Sequence, residues 1–193
     1  MIIPGIPTKY NGFEFRSRLE ARWAAFFDLL GWHYEYEPYD LNGWIPDFAL
    51  YGKVVEVLVE VKPFSTFEEF DLTKIETALL HTQKEGTELL LLGSTLFASE
   101  WNEGTTIGWL GEGNITGDWE DDPGYCWGEA CLNYYKKKWG VIHGHSWYLD
   151  RITDVYDGDG AIVKVPPTQA IPLWRQASNK VKWRPKKSAT AAN

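Results

Sequence analysis

Trp44-Ile45-Pro46-Asp47-Phe48-Ala49-Leu50-Tyr51-Gly52-Lys53-Val54-Val55-Glu56-Val57-Leu58-Val59-Glu60-Val61-Lys62 is the stretch that decides how this chain folds. It is rich in β-branched and aromatic residues and is broken once, at Gly52. It therefore predicts two strands, Trp44 to Tyr51 and Lys53 to Val61, joined as a hairpin. On the second strand Val55, Val57, Val59 and Val61 point to one face, and Glu56, Leu58, Glu60 and Lys62 to the other. The valine face is an ordinary core face. The opposite face sets two carboxylates and an ammonium side by side on an interior strand, which is costly unless a cation or a metal compensates.

Asp47 joins that face only if the hairpin register pairs it with an even-numbered residue. A two-residue turn does so, opposite Glu56 or Leu58, whereas a three-residue turn points it away. Hard carboxylate oxygens suit Mg²⁺, with Mn²⁺ as a substitute. Both ions keep several waters and coordinate phosphate oxygens. Such a site suits phosphodiester hydrolysis, with Lys62 beside the carboxylates to position or deprotonate the attacking water.

Upstream, Ser17 through Leu30 places Leu19, Trp23, Phe26 and Leu30 at spacings of four, three and four, an amphipathic helix. Ser17 is a good N-cap with Glu20 three residues on, and Gly31 supplies the stop. His33 to Glu37 reads as a strand ended by Pro38. Downstream, a helix is expected within Phe67 to Gln83, with Phe70, Ile75, Ala78, Leu79 and Thr82 roughly sharing a face. A buried strand, Glu88 to Leu92, follows it. The order α, β, β, β, α, β over the first 93 residues predicts an α/β domain, a mixed sheet flanked by helices.

Pro46-Asp47 and Glu60-Val61-Lys62, set between a preceding and a following helix, resemble the PD-(D/E)xK nuclease superfamily. Phe15-Arg16-Ser17-Arg18-Leu19-Glu20-Ala21-Arg22-Trp23, with Tyr36-Glu37-Pro38 after it, is similar to small nucleases of bacteriophages and actinobacteria. The resemblance covers residues 10–92. It implies a restriction-endonuclease-like core in which the first helix adds a glutamate, Glu20, to a metal site formed with Asp47 and Glu60. It also implies a Mg²⁺-dependent DNA endonuclease that works in phage or bacterial DNA processing. The bland readings are Glu20 as the capping-box partner of Ser17, Asp47 as a turn residue, and Glu60 with Lys62 as an ion pair on a solvated face. A non-catalytic nucleic-acid-binding or protein-interaction module on the same fold is the alternative from another class. Arg16, Arg18 and Arg22 read as a solvated helix face rather than a phosphate clamp.

The chain has 193 residues, 44% hydrophobic and 24% charged, which suits one globular domain with an elaboration. Its apolar runs fall far short of the ~20 residues of a membrane helix, and no export signal is expected at Met1 to Pro7. With only Cys126 and Cys131, a cytoplasmic location in a bacterium or infected host is expected. The organisation expected is a nuclease core over 1–93, a Trp- and Gly-rich elaboration of short strands and loops over 94–160, and a basic tail over 161–193. Trp101, Trp109, Trp119, Trp127, Trp139 and Trp147 lack a shared flanking motif, so they read as covering the core rather than as a repeat or a base-stacking row.

The net charge of −8 divides unevenly. Residues 161–193 carry seven basic side chains and no acidic ones, against 12 basic and 27 acidic before them. Lys180, Lys182, Arg184, Lys186 and Lys187 are therefore candidates to bind the phosphate backbone, a solvated terminus being the other reading. The partners implied are DNA and, in a homodimer, a second copy of the chain. Cys126, Cys131, His143 and His145 have ligand types for zinc, but His-x-His is tighter than the usual finger spacing, and no structural zinc is expected.

Overall fold

The computed structural model describes residues 5–53, 55–82, 87–99, 104–114, 124–144, 149–156 and 163–182, and only the backbone at 78–82 and at 114. A short hairpin, β1 (Thr8–Tyr10) and β2 (Phe13–Phe15), precedes helix α1 (Arg18–Leu30). Strands β3 (Tyr34–Tyr36), β4 (Phe48–Tyr51) and β5 (Glu56–Val61) follow, then helix α2 (Thr73–Thr82) and β6 (Thr87–Ala98). Strands β7 (Thr105–Asn114), β8 (Gly124–Tyr135), β9 (Lys138–His143) and β10 (Val163–Lys164) lead to helix α3 (Pro167–Lys180). From α1 to β6 the order is the expected α, β, β, β, α, β.

The central sheet is mixed. Its path runs β10-β8-β7-β6-β5-β4-β3, with β9 pairing β8. β5 and β6 are parallel, and the other pairings are antiparallel. A parallel pair needs a crossover, and α2 with the loop before it supplies it. Both faces of β5 are therefore covered. Val57, Val59 and Val61 pack with Phe26, Phe27, Leu90 and Leu92 in one core cluster, beneath α1 and α3. Leu58 packs with Ala49, Leu89, Leu91, Phe70 and Ile75 in the second.

Helix α1 begins and ends where its sequence requires. The extended Ser17 turns its hydroxyl to accept the Glu20 N–H at 3.1 Å. Gly31 stops the helix at φ 71°, with the Trp32 N–H donating back to the Phe27 carbonyl at 3.0 Å.

Elsewhere the structure departs from expectation. The strand expected from Trp44 begins only at Phe48, because Leu41 and Trp44 exchange backbone bonds of 2.7 and 3.1 Å around a tight turn. Asn42 and Gly43, at φ 51° and 86°, form that turn, and Asn-Gly is its usual chemistry. The helix expected from Phe67 is divided. Residues Phe67–Glu69 make a 3₁₀ turn, the Glu69 carboxylate accepting the Ser65 and Thr66 N–H groups, and Phe70 is extended before α2 starts.

Between 94 and 160 the described residues include two long strands beside the six-residue β9. β7 spans ten residues and β8 twelve, and both continue the central sheet. Of the tryptophans there, Trp109 and Trp127 pack on the second cluster and Trp139 on the first, while Trp101, Trp119 and Trp147 lie outside the described residues. Pro167 to Lys180 of the expected tail form α3, which buries Ala170, Trp174 and Ala177. The Trp174 ring lies 4.4 Å from that of Trp23 and 5.4 Å from that of Phe26.

Candidate active site

The hairpin register meets the demand made by the sequence, but with a different partner. Phe48 pairs Val59 and Tyr51 pairs Glu56, and the Gly52 N–H donates to the Val55 carbonyl across a two-residue turn. Continued one step past Phe48, that register sets Asp47 opposite Glu60, not Glu56 or Leu58. Parity, which decides the face, is as required.

Asp47 is nearly inaccessible, its side chain 4% exposed. Its Oδ2 accepts the Val61 N–H at 2.7 Å, so the first strand end is tied to the second by a carboxylate. Glu60, on the last turn of the pleat before Val61, is also buried. Its Oε2 accepts the Trp44 indole N–H at 3.0 Å, and Lys62 Nζ forms an ion pair with its Oε1. Lys62 Nζ lies 3.9 Å from Asp47 Oδ2 and donates to the Val61 carbonyl at 3.3 Å. The Asn42-Gly43 turn is what aims Trp44 at Glu60.

The backbone path just beyond Lys62 is also built for close approach. The Lys62 N–H donates to the Leu92 carbonyl at 3.0 Å and the Ser94 N–H to the Phe64 carbonyl at 2.9 Å. Between them, a Cβ on Gly93 would stand 2.5 Å from the Phe64 oxygen, so only glycine fits. The Gly93 carbonyl in turn accepts the Trp23 indole N–H at 3.0 Å, which docks α1 against this end of the sheet.

Glu20 is buried on α1. The Ser17 half of a capping box forms, but the Glu20 side chain goes elsewhere: its Oε2 accepts the Tyr36 hydroxyl at 2.7 Å. Tyr36 in turn accepts the Arg16 backbone N–H at 3.1 Å. Arg16 itself is a correction to the sequence reading. Its Nη2 donates to Asp47 Oδ1 at 3.1 Å, and its Nε lies 2.5 Å from Glu37 Oε1. Nothing in the spacing signals this, because Arg16 precedes the helix and its direction is set by partners distant in sequence.

Burial, then the negative charge of Glu60, push the Asp47 carboxyl up to about 7; Lys62 and the Val61 N–H pull it down, and Glu20 adds a smaller upward push. This crowding bears on the fit of a cation. With Asp47 ionised, Glu20, Glu37, Asp47 and Glu60 set four negative charges against the two positive ones of Arg16 and Lys62, and a divalent ion would balance them. The donors are hard oxygens, as Mg²⁺ and Mn²⁺ prefer. Among the described residues, though, no three His, Cys, Asp or Glu side chains converge closely enough to hold a metal as they stand. Arg16, Lys62 and Trp44 occupy the oxygens that would do so.

Among the described residues, the zinc and tail candidates belong to other elements, β8, β9 and the end of α3. Cys126 and Cys131 are five residues apart on β8, so their side chains leave opposite faces of it; one is exposed and the other buried. His143 is buried with Nε2 3.2 Å from the Cys126 carbonyl, and His145 lies outside the described residues. Lys180 ends α3 and Lys182 is exposed just after it, while Arg184, Lys186 and Lys187 lie outside the described residues.

Comparison of the chain with protein-family models, with curated proteins and with solved structures returns no significant match.

Proposed function

We propose that this chain is a divalent-metal-dependent DNA endonuclease with a restriction-endonuclease-like core, acting in phage or bacterial DNA processing. One observation carries the reading: Asp47, Glu60 and Lys62 meet at the ends of two adjacent buried strands, Asp47 Oδ2 tied to the Val61 N–H and Lys62 paired with Glu60. Burying two carboxylates there without function is expensive, and an apolar pair would cost less.

In this reading Asp47 and Glu60 hold Mg²⁺, or Mn²⁺ in its place. Glu20, on α1, would supply a further oxygen to that cation or to its water. When bound, the ion supplies Lewis acidity toward the phosphate and a water of lowered pKa. Lys62, held as an ammonium beside Glu60 and Asp47, would orient that water by donating to it, the water's proton leaving to solvent. The Trp44 indole keeps Glu60 aimed, and Tyr36 keeps Glu20 aimed. Lys180 and Lys182, with Arg184, Lys186 and Lys187, add phosphate contacts along the duplex.

The test is a gel of supercoiled plasmid, linear duplex, single strand and four-way junction incubated with Mg²⁺ or Mn²⁺. Cleavage of at least one form is expected, lost in Asp47→Ala and Glu60→Ala together with ion binding. In Lys62→Ala cleavage is lost while ion and DNA binding remain. Protein that binds DNA and cuts none of the four forms would instead be a binding module on this fold.

A further inference from the structure

Arg16 sits where a cation would have to enter. Asp47 Oδ2 already accepts the Val61 N–H and faces Lys62, and Arg16 Nη2 holds the other oxygen, Oδ1, at 3.1 Å. The contact is lopsided: the Asp47 side chain is 4% exposed and that of Arg16 58%. The guanidinium therefore closes a buried carboxylate from the solvent side.

A second carboxylate anchors the guanidinium independently of Asp47. Glu37 Oε1 lies 2.5 Å from Arg16 Nε, and the Glu37 N–H donates to the Asp47 backbone carbonyl at 3.0 Å. Glu37 adopts a left-handed φ of 47°, which a residue with a side chain takes only when its surroundings require it. That turn keeps Glu37 beside the site whether or not Arg16 touches Asp47. Arg16 precedes the Ser17 N-cap, so no helical backbone fixes its side chain.

We propose that Arg16 is a phosphate-binding residue parked on Asp47. With a divalent cation present it cedes Asp47 Oδ1. Still tethered at Nε to Glu37, it turns its Nη donors to the non-bridging oxygens of a phosphodiester. A planar guanidinium fork matches that pair of oxygens, which an ammonium does not. The half-exposed position makes the parked contact breakable, since ion pairs open to solvent are weak. This inference rests on the proposed nuclease reading and adds to it a residue that answers cation and phosphate in opposite senses.

The experiment uses the full chain with Arg16→Gln and Arg16→Lys variants. Mn²⁺ is titrated calorimetrically without DNA, and a fluorescent duplex is then titrated in Ca²⁺. Removing a cation next to Asp47 should tighten Mn²⁺ binding in Arg16→Gln by about tenfold. The same variant should bind the duplex about tenfold more weakly. Arg16→Lys keeps the charge and loses the fork, so its Mn²⁺ affinity should change less while its duplex affinity falls. If Arg16→Gln does not fold, Arg16→Lys decides by duplex affinity alone. Mn²⁺ affinity in Arg16→Gln equal to or weaker than wild type, or duplex affinity unchanged in either variant, overturns the proposal. Wild-type protein that binds no divalent ion sinks the nuclease reading itself, a different result from a metal-binding wild type whose Arg16 variants bind no tighter.

Discussion

Asp47 is buried between other carboxylates, and this gives the protein a pH dependence of definite sign. Its carboxyl, ordinarily at 3.8, is pushed up to about 7 by burial and then by Glu60. From about pH 4 to 7 the folded chain therefore keeps a proton that the unfolded chain has released, and stability falls as pH rises through that window. Asp150, fully buried and also shifted upward by burial, acts in the same direction. The melting temperature of the metal-free protein should be lower at pH 8 than at pH 5.5. Asp47→Asn should remove part of that difference. Mg²⁺, competing with the proton, should raise the melting temperature more at pH 8 than at pH 5.5. A wild-type melting temperature that is flat or rises with pH would mean that Asp47 is already neutralised by Lys62 and Arg16. Trp44 gives a companion prediction. Trp44→Phe keeps an aromatic ring but leaves Glu60 Oε2 without its 3.0 Å donor, which should cost about 1–3 kcal/mol in urea unfolding. A loss under about 0.5 kcal/mol would show that water replaces the indole without penalty.

Elements carried by local signals formed as their sequences imply, and those fixed by distant contacts did not. Helix α1 has its periodicity, its Ser17 cap and its Gly31 stop within the same fifteen residues, so both ends are legible. Ser17→Ala should cost about 1 kcal/mol. Gly31→Ala should cost roughly 1–2 kcal/mol, because φ 71° opposes a Cβ. Both are measurable by melting, and equal stability in either variant would mean that the α1 ends fray regardless of their caps. The hairpin of β4 and β5 was legible too, because alternation and Gly52 set its faces. The partner of Asp47 was not, since the 48–59 register depends on where the turn closes. Trp44 reads as a strand residue because aromatic residues favour strands, whereas the Asn42-Gly43 dipeptide is the signal that places it beside a turn. Arg16 had no signal. Its partners Glu37 and Asp47 lie 21 and 31 residues away, and an arginine near a helix start reads the same whether it meets water or a carboxylate. Glycine frequency makes 94–160 look like short strands and loops. In β7 and β8 glycine instead relieves crowding between strands, as where a Cβ on Gly111 would stand 2.8 Å from the Trp127 ring.

At the scale of the whole molecule, the acidic body and basic C-terminal segment meet through α3, and this decides where the segment can be cut. Ala170, Trp174, Ala177 and Val181 are buried, and Trp174 contacts both Trp23 and Phe26 on α1. The same helix carries Trp174 beneath the Arg22 guanidinium, 5.0 Å from the ring centre. Deletion from residue 178 would remove Val181 and the last turn of α3, and deletion from 167 would remove Trp174 and uncover Trp23. A large aromatic lost from a core typically costs 3–5 kcal/mol. Residues 183–193 are the part that can be removed without touching these contacts, and they hold Arg184, Lys186 and Lys187. If those three side chains neutralise phosphates, each released counterion steepens the salt dependence of duplex binding. Deletion of 183–193 should then flatten the log–log salt slope by about 2.7 and leave the melting temperature unchanged. Adding Lys180→Ala and Lys182→Ala to that deletion should flatten it further, up to about 1.8 more. A salt slope unmoved by the first deletion would assign the three residues to solvent and leave DNA binding to the body of the protein. A melting temperature lowered by it would show that residues beyond Lys182 pack on the fold.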